Sequence, residues 1–187
     1  MTHQTGISSL YNEYVDQLFS YALHLGFNED IAMDAIHDLF YKLCTNHTSL
    51  EKIANLKLYL FKSLKNRLID IQRAHKEYAG TLTINHDVYE NSPFQLNMSI
   101  EDELIKEEDL EEIRIKVRNV LAGLTDRQRE IIYLRYIHEY DFKEIAELLQ
   151  ISVESCRNSI SKSFRKLKIS TLSRAQFLLL FLSYFYS

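Results

Sequence analysis

The chain has 187 residues, enough for one ordinary domain or two small helical domains that fold without disulfides or metals. Its two cysteines are too few for a disulfide scaffold, and four glycines and one proline leave few points where a helix must end. No segment alternates apolar and polar residues between tight turns, as strands do. These features predict an all-α fold without a sheet.

The net charge of −4 hides an uneven distribution of charge along the chain. Residues 57–76 carry six basic side chains and one acidic one, and residues 157–174 carry six basic side chains and no acidic one. Between them, residues 87–112 carry ten acidic side chains and one lysine. Two basic blocks on either side of an acidic segment are typical of a nucleic-acid-binding protein.

Three features of the chain predict a cytoplasmic location. Cys44 and Cys156 each fall among the apolar positions of a predicted helix, so we expect both to be reduced core residues. The N-terminal segment is polar and does not have the pattern of a signal peptide. The apolar run 177–186 is well short of the roughly 20 residues that span a bilayer, so we expect a tail helix or an interface there.

Three helices are predicted in the first half of the chain, at about residues 8–25, 29–45 and 54–78. In the third helix the apolar residues recur at three- or four-residue steps, at Leu56, Leu60, Leu64, Leu68 and Ile71. This spacing buries one face and leaves the opposite face polar and basic, with Lys62, Asn66, Asp70 and Arg73. Residues 79–99 contain Gly80 and the only proline, and are predicted to form an irregular linker.

The second half is also predicted to be helical, beginning with a charged helix at about residues 100–121. Thr125 and Gln128 form a T-x-x-Q capping box, which starts a helix that extends to about residue 137. A short helix at 142–149, a turn at 150–152 and a helix at 153–168, capped by Ser152, follow. The predicted organisation is two small helical domains, 1–79 and 105–171, joined by an acidic linker at 80–104 and followed by an apolar tail at 172–187.

The segment from Thr125 to Lys168 has the pattern of a helix-turn-helix, in which one helix braces a second helix that enters the major groove of duplex DNA. Ile145, Ala146 and Leu149 of the bracing helix are predicted to pack on apolar residues of the second helix, namely Val153, Cys156, Ile160, Phe164 and Leu167. The remaining face then carries the predicted DNA contacts, which are Glu154, Ser155, Arg157, Asn158, Ser161, Lys162, Arg165 and Lys166.

The residue types on this face suit two kinds of DNA contact. Arg157 and Asn158 are of the types that make paired hydrogen bonds to guanine and adenine, respectively. Lys162, Arg165 and Lys166 suit phosphates. A basic amphipathic helix that is merely solvated is the alternative, and the bracing helix and the turn make it the less favoured one. The motif leaves open whether the protein is a repressor, an activator or part of the polymerase itself.

Residues 124–168 resemble the C-terminal promoter-reading region of the extracytoplasmic-function (ECF) sigma factors. The resemblance lies in Leu124, Arg129, Glu130, Tyr136, Glu144, Ile145, Ala146, Ser152 and Leu167. It implies that this region contacts the minus thirty-five promoter element. Response-regulator effector domains share such a region loosely, so the N-terminal half of the chain must decide between the two families.

Residues 34–40 resemble the D-x-x-Q-E-x-F signature of the ECF sigma factors, with His37 in place of the usual glutamine. In the family the helix that carries this signature docks onto the clamp helices of the largest polymerase subunit. The resemblance therefore implies polymerase contacts by Asp34, His37, Asp38 and Phe40.

The third helix also resembles the family, in its W-L…N…D…R pattern, with Tyr59 in the position of the tryptophan. In the family this helix and the loop before it, here about residues 46–54, engage the minus-ten element and capture a flipped base of the opened non-template strand. Opened strands are held by positive grooves with pockets or stacking surfaces. The implied minus-ten contacts are His47, Tyr59, Lys62, Asn66, Asp70 and Arg73.

The resemblance covers about residues 10–78 and 121–168 and implies a sigma factor that directs transcription initiation. Its implied partners are core RNA polymerase, promoter DNA as duplex and as opened strand, and an anti-sigma factor, which in the family is often anchored in the membrane. The acidic segment 87–112 is expected to thread through the polymerase, and a solvated linker is the alternative. No catalytic residue, cofactor, metal or small-molecule substrate is predicted.

Two other classes of function stay open. A stand-alone regulator would dimerise or sense a ligand through its N-terminal helices and bind a palindromic site. An enzyme of the HD phosphohydrolase kind would use His37 and Asp38 as metal ligands, but the other histidines show no spacing that completes a site. The apolar tail, 172–186, is expected to pack on the promoter-reading domain; contact with an anti-sigma factor is the alternative, and a lipid-facing role is less favoured.

Overall fold

The computed structural model describes residues 3–45, 53–78 and 121–169. In these ranges the regular elements are six helices, α1 (His3–His24), α2 (Glu29–Thr45), α3 (Leu56–Tyr78), α4 (Asp126–Tyr136), α5 (Phe142–Leu149) and α6 (Val153–Ile169). The described ranges contain no strand, which agrees with the predicted all-α fold. The chain divides into two compact units, Met1–Gln95 and Leu96–Ser187, whereas the finer domain boundaries stay a prediction.

In the first unit, α1, α2 and α3 pack against one another around a shared apolar core. The rings of Tyr21 and Phe61, both fully buried, lie 5.2 Å apart at the centre of this core. The leucine spacing of α3 predicted its buried face correctly, because Leu60, Leu64 and Leu68 are fully buried. Leu56 and Ile71, at the two ends of that face, are partly exposed.

Asparagine caps explain where α2 and α3 begin. The Asn28 side-chain oxygen accepts a hydrogen bond from the Ile31 N–H at 2.9 Å, and the Asn55 oxygen accepts one from the Leu58 N–H at 3.0 Å. Such caps satisfy N–H groups that have no partner inside the helix. The observed bounds of α2 match the predicted 29–45, and α3 begins at Leu56 because Asn55 caps it.

In the second unit, α4 begins with the predicted capping box. The Thr125 hydroxyl accepts a hydrogen bond from the Gln128 N–H at 3.3 Å, and the Gln128 side chain accepts one from the Thr125 N–H at 3.1 Å. A second capping box, which we did not predict, starts α5: Asp141 accepts from the Glu144 N–H at 2.8 Å, and Glu144 accepts from the Asp141 N–H at 2.6 Å. Its D-x-x-E spacing is readable in the sequence.

The turn between α5 and α6 is the predicted turn of the helix-turn-helix. Gln150 adopts the left-handed conformation with φ 54°, and the Ile151 N–H donates to the Ala146 carbonyl at 3.0 Å. This arrangement is a Schellman motif, which ends a helix and reverses the chain. The Ser152 hydroxyl then accepts a hydrogen bond from the Ser155 N–H at 3.0 Å, which confirms Ser152 as the cap of α6.

The interior of the second unit follows most of the predicted packing. Ile145, Ala146 and Leu149 of α5 and Cys156 and Ile160 of α6 are buried. The predicted partners Val153 and Phe164 are partly exposed, and the Leu167 side chain lies outside the described residues.

The prediction that Cys44 is a core residue is wrong. Cys44 is exposed, whereas Cys156 is buried as predicted. The buried residues of α2 recur at three- and four-residue steps from Ala32 to Leu43, and Cys44 lies one residue beyond the last of them. A single residue turns a helix by about 100°, which takes Cys44 off the buried face.

Several predictions fall outside the described residues. These are the linker, the acidic segment, most of the helix predicted at 100–121 and the apolar tail. Among the helices that the structure describes, none is both long enough and apolar enough to cross a membrane.

Candidate nucleic-acid interface

All eight DNA-contact residues predicted on α6 are exposed. Cys156, Ile160 and Ser163 of α6 are buried, and Val153, Ser159 and Phe164 are partly exposed. The exposed surface of α6 carries Glu154, Ser155, Arg157, Asn158, Ser161, Lys162, Arg165 and Lys166. The α5–α6 pair therefore presents its second helix as a helix-turn-helix does, while the contacts with individual bases stay a prediction.

Two arginines of α4 that the sequence did not single out, Arg127 and Arg135, act on Cys156 of α6 through their charge. Burial raises the pKa of the Cys156 thiol above its ordinary value, and the positive charges of Arg135, Arg127 and Arg157 partly oppose this shift. Two arginines of α4 therefore place positive charge near the same residue of α6 as Arg157 does.

Phe142, the first residue of α5, contacts two of these arginines. The guanidinium carbon of Arg135 lies 5.2 Å from the centre of the Phe142 ring, and that of Arg157 lies 5.6 Å from it. Both distances are within the range of a cation–π interaction. Arg135 also donates a hydrogen bond to the Tyr140 carbonyl oxygen at 2.7 Å, which anchors its position.

Two more basic residues of this unit, Lys166 and Arg129, have partners inside the protein. The Lys166 ammonium, predicted to contact phosphate, donates to the Gly123 carbonyl oxygen at 3.2 Å while its side chain remains exposed. Arg129 donates to the Leu121 and Leu124 carbonyl oxygens at 3.1 and 2.6 Å and forms an ion pair with Asp126. Arg129 therefore stabilises the start of α4, which gives a structural reason for its place in the family pattern.

On α2, the predicted polymerase-contact residues do not all reach the surface. Asp34 and His37 are exposed, and Asp38 is partly exposed. Phe40 is only 5% exposed, and its ring packs edge-on against that of Tyr11 at 5.1 Å. The prediction that Phe40 contacts the polymerase is therefore wrong. Its side chain belongs to the core and supports α2 from the interior of the unit.

Two tyrosines extend the exposed face of α2, and the sequence reasoning missed both. Tyr11 of α1 lies nearly parallel to the His37 ring, with its hydroxyl oxygen 3.2 Å from the His37 Nε2 atom. Tyr41, one turn after His37, is 68% exposed. A large exposed aromatic on a helix face is a common feature of protein interfaces.

Asp38 has an intramolecular partner on α3. Its Oδ2 atom accepts hydrogen bonds from Arg67 Nε at 3.0 Å and from Arg67 Nη2 at 2.5 Å. The two side chains are 46% and 40% exposed, so water screens part of the attraction. This ion pair joins the predicted docking helix to the predicted minus-ten helix.

A cleft of about 280 Å³ lies between α2 and α3 beside this ion pair. Its lining residues are Asp38, Leu39, Lys42, Tyr59, Ser63, Asn66, Arg67 and Asp70. The cleft thus brings three predicted minus-ten residues together with one predicted docking residue. Tyr59 is 37% exposed and offers part of an aromatic surface there.

Two other predicted minus-ten residues, Lys62 and Arg73, are not among the residues that line the cleft. Arg73 is exposed, with its Nη1 atom 3.7 Å from Asp70 Oδ1, and Lys62 is partly exposed. His47 lies outside the described residues.

His37 and Asp38, which an enzyme of the HD kind would use as metal ligands, contact other side chains in this structure. His37 meets Tyr11, and Asp38 pairs with Arg67. Within the part of the chain that the structure describes, no group of three or more His, Cys, Asp or Glu side chains is placed to hold a metal ion.

The model of the family Sigma-70, region 4 matches residues 114–167. RNA polymerase sigma factor YlaC of Bacillus subtilis (strain 168) is 21% identical over 173 residues, which covers 90% of this chain and 93% of the relative. ECF RNA polymerase sigma factor SigM of the same organism is 24% identical over 162 residues, covering 87% of this chain and 93% of the relative. RNA polymerase sigma factor SigZ of that organism is 24% identical over 162 residues, covering 87% and 85%.

A solved structure shares the fold. It is the sigma factor RpoE from Bartonella quintana, crystallised in complex with the anti-sigma factor NepR. The TM-score is 0.58 and the sequence identity is 19%, and the match covers 87% of this chain and 94% of that chain. The chain is thus similar along nearly its whole length to RNA polymerase sigma factors, residues 114–167 match Sigma-70, region 4, and its fold is that of a solved sigma factor.

Proposed function

We propose that the chain is a sigma factor that binds core RNA polymerase, directs it to specific promoters and initiates transcription. The observation that carries this proposal is the exposed polar and basic face of α6, presented by a helix-turn-helix that matches Sigma-70, region 4. Relatives that span nearly the whole chain are RNA polymerase sigma factors. The chain recruits and positions the polymerase, and it carries out no covalent chemistry of its own.

The second unit is proposed to anchor the polymerase at the minus thirty-five element. Arg157 and Asn158 read base edges, and Lys162, Arg165 and Lys166 contact phosphates. The exposure of all five side chains supports these roles. Glu154, Ser155 and Ser161 complete the face, and the partly exposed Arg127 and Arg135 of α4 add positive charge to this unit, which favours the approach of the DNA backbone.

The first unit is proposed to dock on core polymerase and to hold the opened minus-ten element. Asp34, His37 and the exposed Tyr41 form the docking face of α2. Tyr59, Asn66 and Asp70, at the cleft between α2 and α3, engage the opened non-template strand, with Lys62 and Arg73 beside them. Asp38, paired with Arg67, is proposed to act by fixing α2 against α3.

An anti-sigma factor is the proposed regulator of this chain. The solved structure that shares the fold is a sigma factor in complex with the anti-sigma factor NepR, which supports a partner of the same kind here. Since core polymerase and promoter DNA are the other proposed partners, the proposed location is the cytoplasm. In this proposal the predicted domains 1–79 and 105–171 bind the two promoter elements, and residues 80–104 connect them.

In-vitro transcription with purified core polymerase tests the proposal. Initiation that depends on both the chain and a cognate promoter is expected. A dimer that binds a palindromic site and never starts transcription would instead favour a stand-alone regulator.

Variants of α6 test the proposed contacts one by one. Arg157→Ala or Asn158→Ala is expected to cost about 1–3 kcal/mol at matched promoters and to relax base preference, because each loses a base-edge contact. Lys162→Ala is the matched control, since losing a phosphate contact weakens binding to all sequences alike. Promoter binding should also weaken steeply with salt. Equal effects of the three substitutions on random DNA would contradict the assigned roles.

A further inference from the structure

We propose that Phe142 is a positioning residue for promoter reading, whose ring holds the Arg157 guanidinium ready for a base edge. This inference rests on the proposed function of the second unit. Phe142 belongs to the bracing helix and not to the recognition helix. It therefore adds a specificity-determining position that lies outside the DNA-facing residues of α6.

The ring of Phe142 is itself held in place. Phe142 follows directly on the Asp141 cap, whose carboxylate accepts hydrogen bonds from the Lys143 and Glu144 N–H groups at 2.7 and 2.8 Å. Its ring also lies 5.2 Å from the Arg135 guanidinium, which is anchored on the Tyr140 carbonyl oxygen. With its backbone next to the Asp141 cap and its ring in contact with Arg135, Phe142 offers Arg157 a defined surface.

The contact with the ring orients Arg157 without using up its hydrogen-bonding capacity. An arginine side chain has much rotamer freedom, and ordering it on binding costs free energy. An aromatic face attracts the guanidinium and takes up none of its five N–H donors, which remain available for the two acceptors on a guanine edge. Ordering Arg157 before binding therefore strengthens binding to the right base more than it strengthens non-specific binding.

The nearby charge of Arg135 opposes the ordering of Arg157 on the ring but adds an electrostatic preference for certain bases. Arg135 and Arg157 both lie over the same ring and repel each other, since they carry like charges. An acceptor-rich base edge close to Arg157 offsets that repulsion. The pair therefore favours a base with acceptors over a base that presents a donor.

The test uses the full chain with core polymerase on two promoters that differ by one base pair of the minus thirty-five element. The measured quantity is the ratio of the two binding constants. Phe142→Leu keeps an apolar side chain and removes the aromatic face, so this ratio is expected to fall about two- to fivefold. Phe142→Tyr keeps the face and is expected to retain the ratio of the unsubstituted chain.

A double substitution separates positioning from a general structural role. In an Arg157→Ala background, Phe142→Leu is expected to change the ratio no further, because the residue it positions is gone. An unchanged ratio for Phe142→Leu, or an equal fall in that background, would overturn the inference. Phe142→Met provides the same test if the leucine variant does not fold. Failure of the proposed function can be told apart from failure of this inference, because the unsubstituted chain would then show no promoter-dependent initiation.

Discussion

The ion pair between Asp38 and Arg67 links two surfaces that the sequence assigns to different partners, and its strength can be worked out from its geometry. Arg67 places two N–H groups on one carboxylate oxygen, at 3.0 and 2.5 Å. Ion pairs on protein surfaces typically contribute about 0.2–1 kcal/mol, and a charged pair with two hydrogen bonds lies at the upper end. Because both side chains are 40–46% exposed, we expect a coupling free energy of about 0.5–1 kcal/mol.

A double-mutant cycle measures this coupling. Asp38→Ala, Arg67→Ala and the double variant are compared with the unsubstituted chain, and the free energy of unfolding of the first unit is taken from hydrogen exchange of the α2 and α3 amides. Hydrogen exchange reports each unit separately, so the second unit does not enter the measurement. The coupling is expected to weaken as salt screens the pair.

The affinity for core polymerase distinguishes positioning from direct contact in the same four chains. If Asp38 acts through Arg67, the two single variants weaken polymerase binding to similar extents and the double variant is no weaker. Asp34→Ala is the matched control, since Asp34 is an exposed acid of the same helix face. A coupling free energy of zero at low salt, or a loss of binding confined to Asp38→Ala, would refute the reasoning.

Two further predictions concern the helix-turn-helix. Gln150 has φ 54°, a conformation that strains residues with a side chain, so Gln150→Gly is expected to stabilise the second unit by up to about 1 kcal/mol; a lower Tm for this variant would count against it. The hydrogen bond from the Glu144 N–H, opposed by a smaller desolvation effect, holds the pKa of the Asp141 carboxyl below its ordinary value. The stability it contributes is therefore present above the ordinary aspartate pKa of 3.8 and is lost as the pH falls through the lower folded value. Asp141→Asn keeps a side chain that caps α5 but does not titrate. The difference in Tm between this variant and the unsubstituted chain should therefore change over that acidic range. A difference that is independent of pH would contradict the lowered pKa of Asp141.

The helices were predictable because the signals that start and end them are local. The leucine spacing of α3, the Thr125 capping box and the Ser152 cap each involve residues at most a few positions apart, and each is confirmed. The observed bounds of α2 and α5 match the predicted ones. The exposure of the predicted DNA face on α6 followed from the same periodicity, since the buried positions on a helix determine which ones remain outside.

The side-chain partners of the candidate sites were not predictable from such signals. Asp38 and Arg67 are 29 residues apart, and nothing in their spacing indicates that they meet. The same holds for Arg135, Phe142 and Arg157, which come from three different helices. Phe40 carries a family signature and yet lies in the core, because packing against α1 buries it.

By itself the sequence determined the helical fold of the described residues, the helix-turn-helix and the face that it presents. Periodicity and caps act over one or two turns, and a single chain displays them directly. Only the tertiary structure decided which of the predicted site residues are exposed and which are buried or paired with another side chain. That distinction depends on which helix faces pack together, because residues far apart in sequence become buried or form ion pairs only when their helices are in contact.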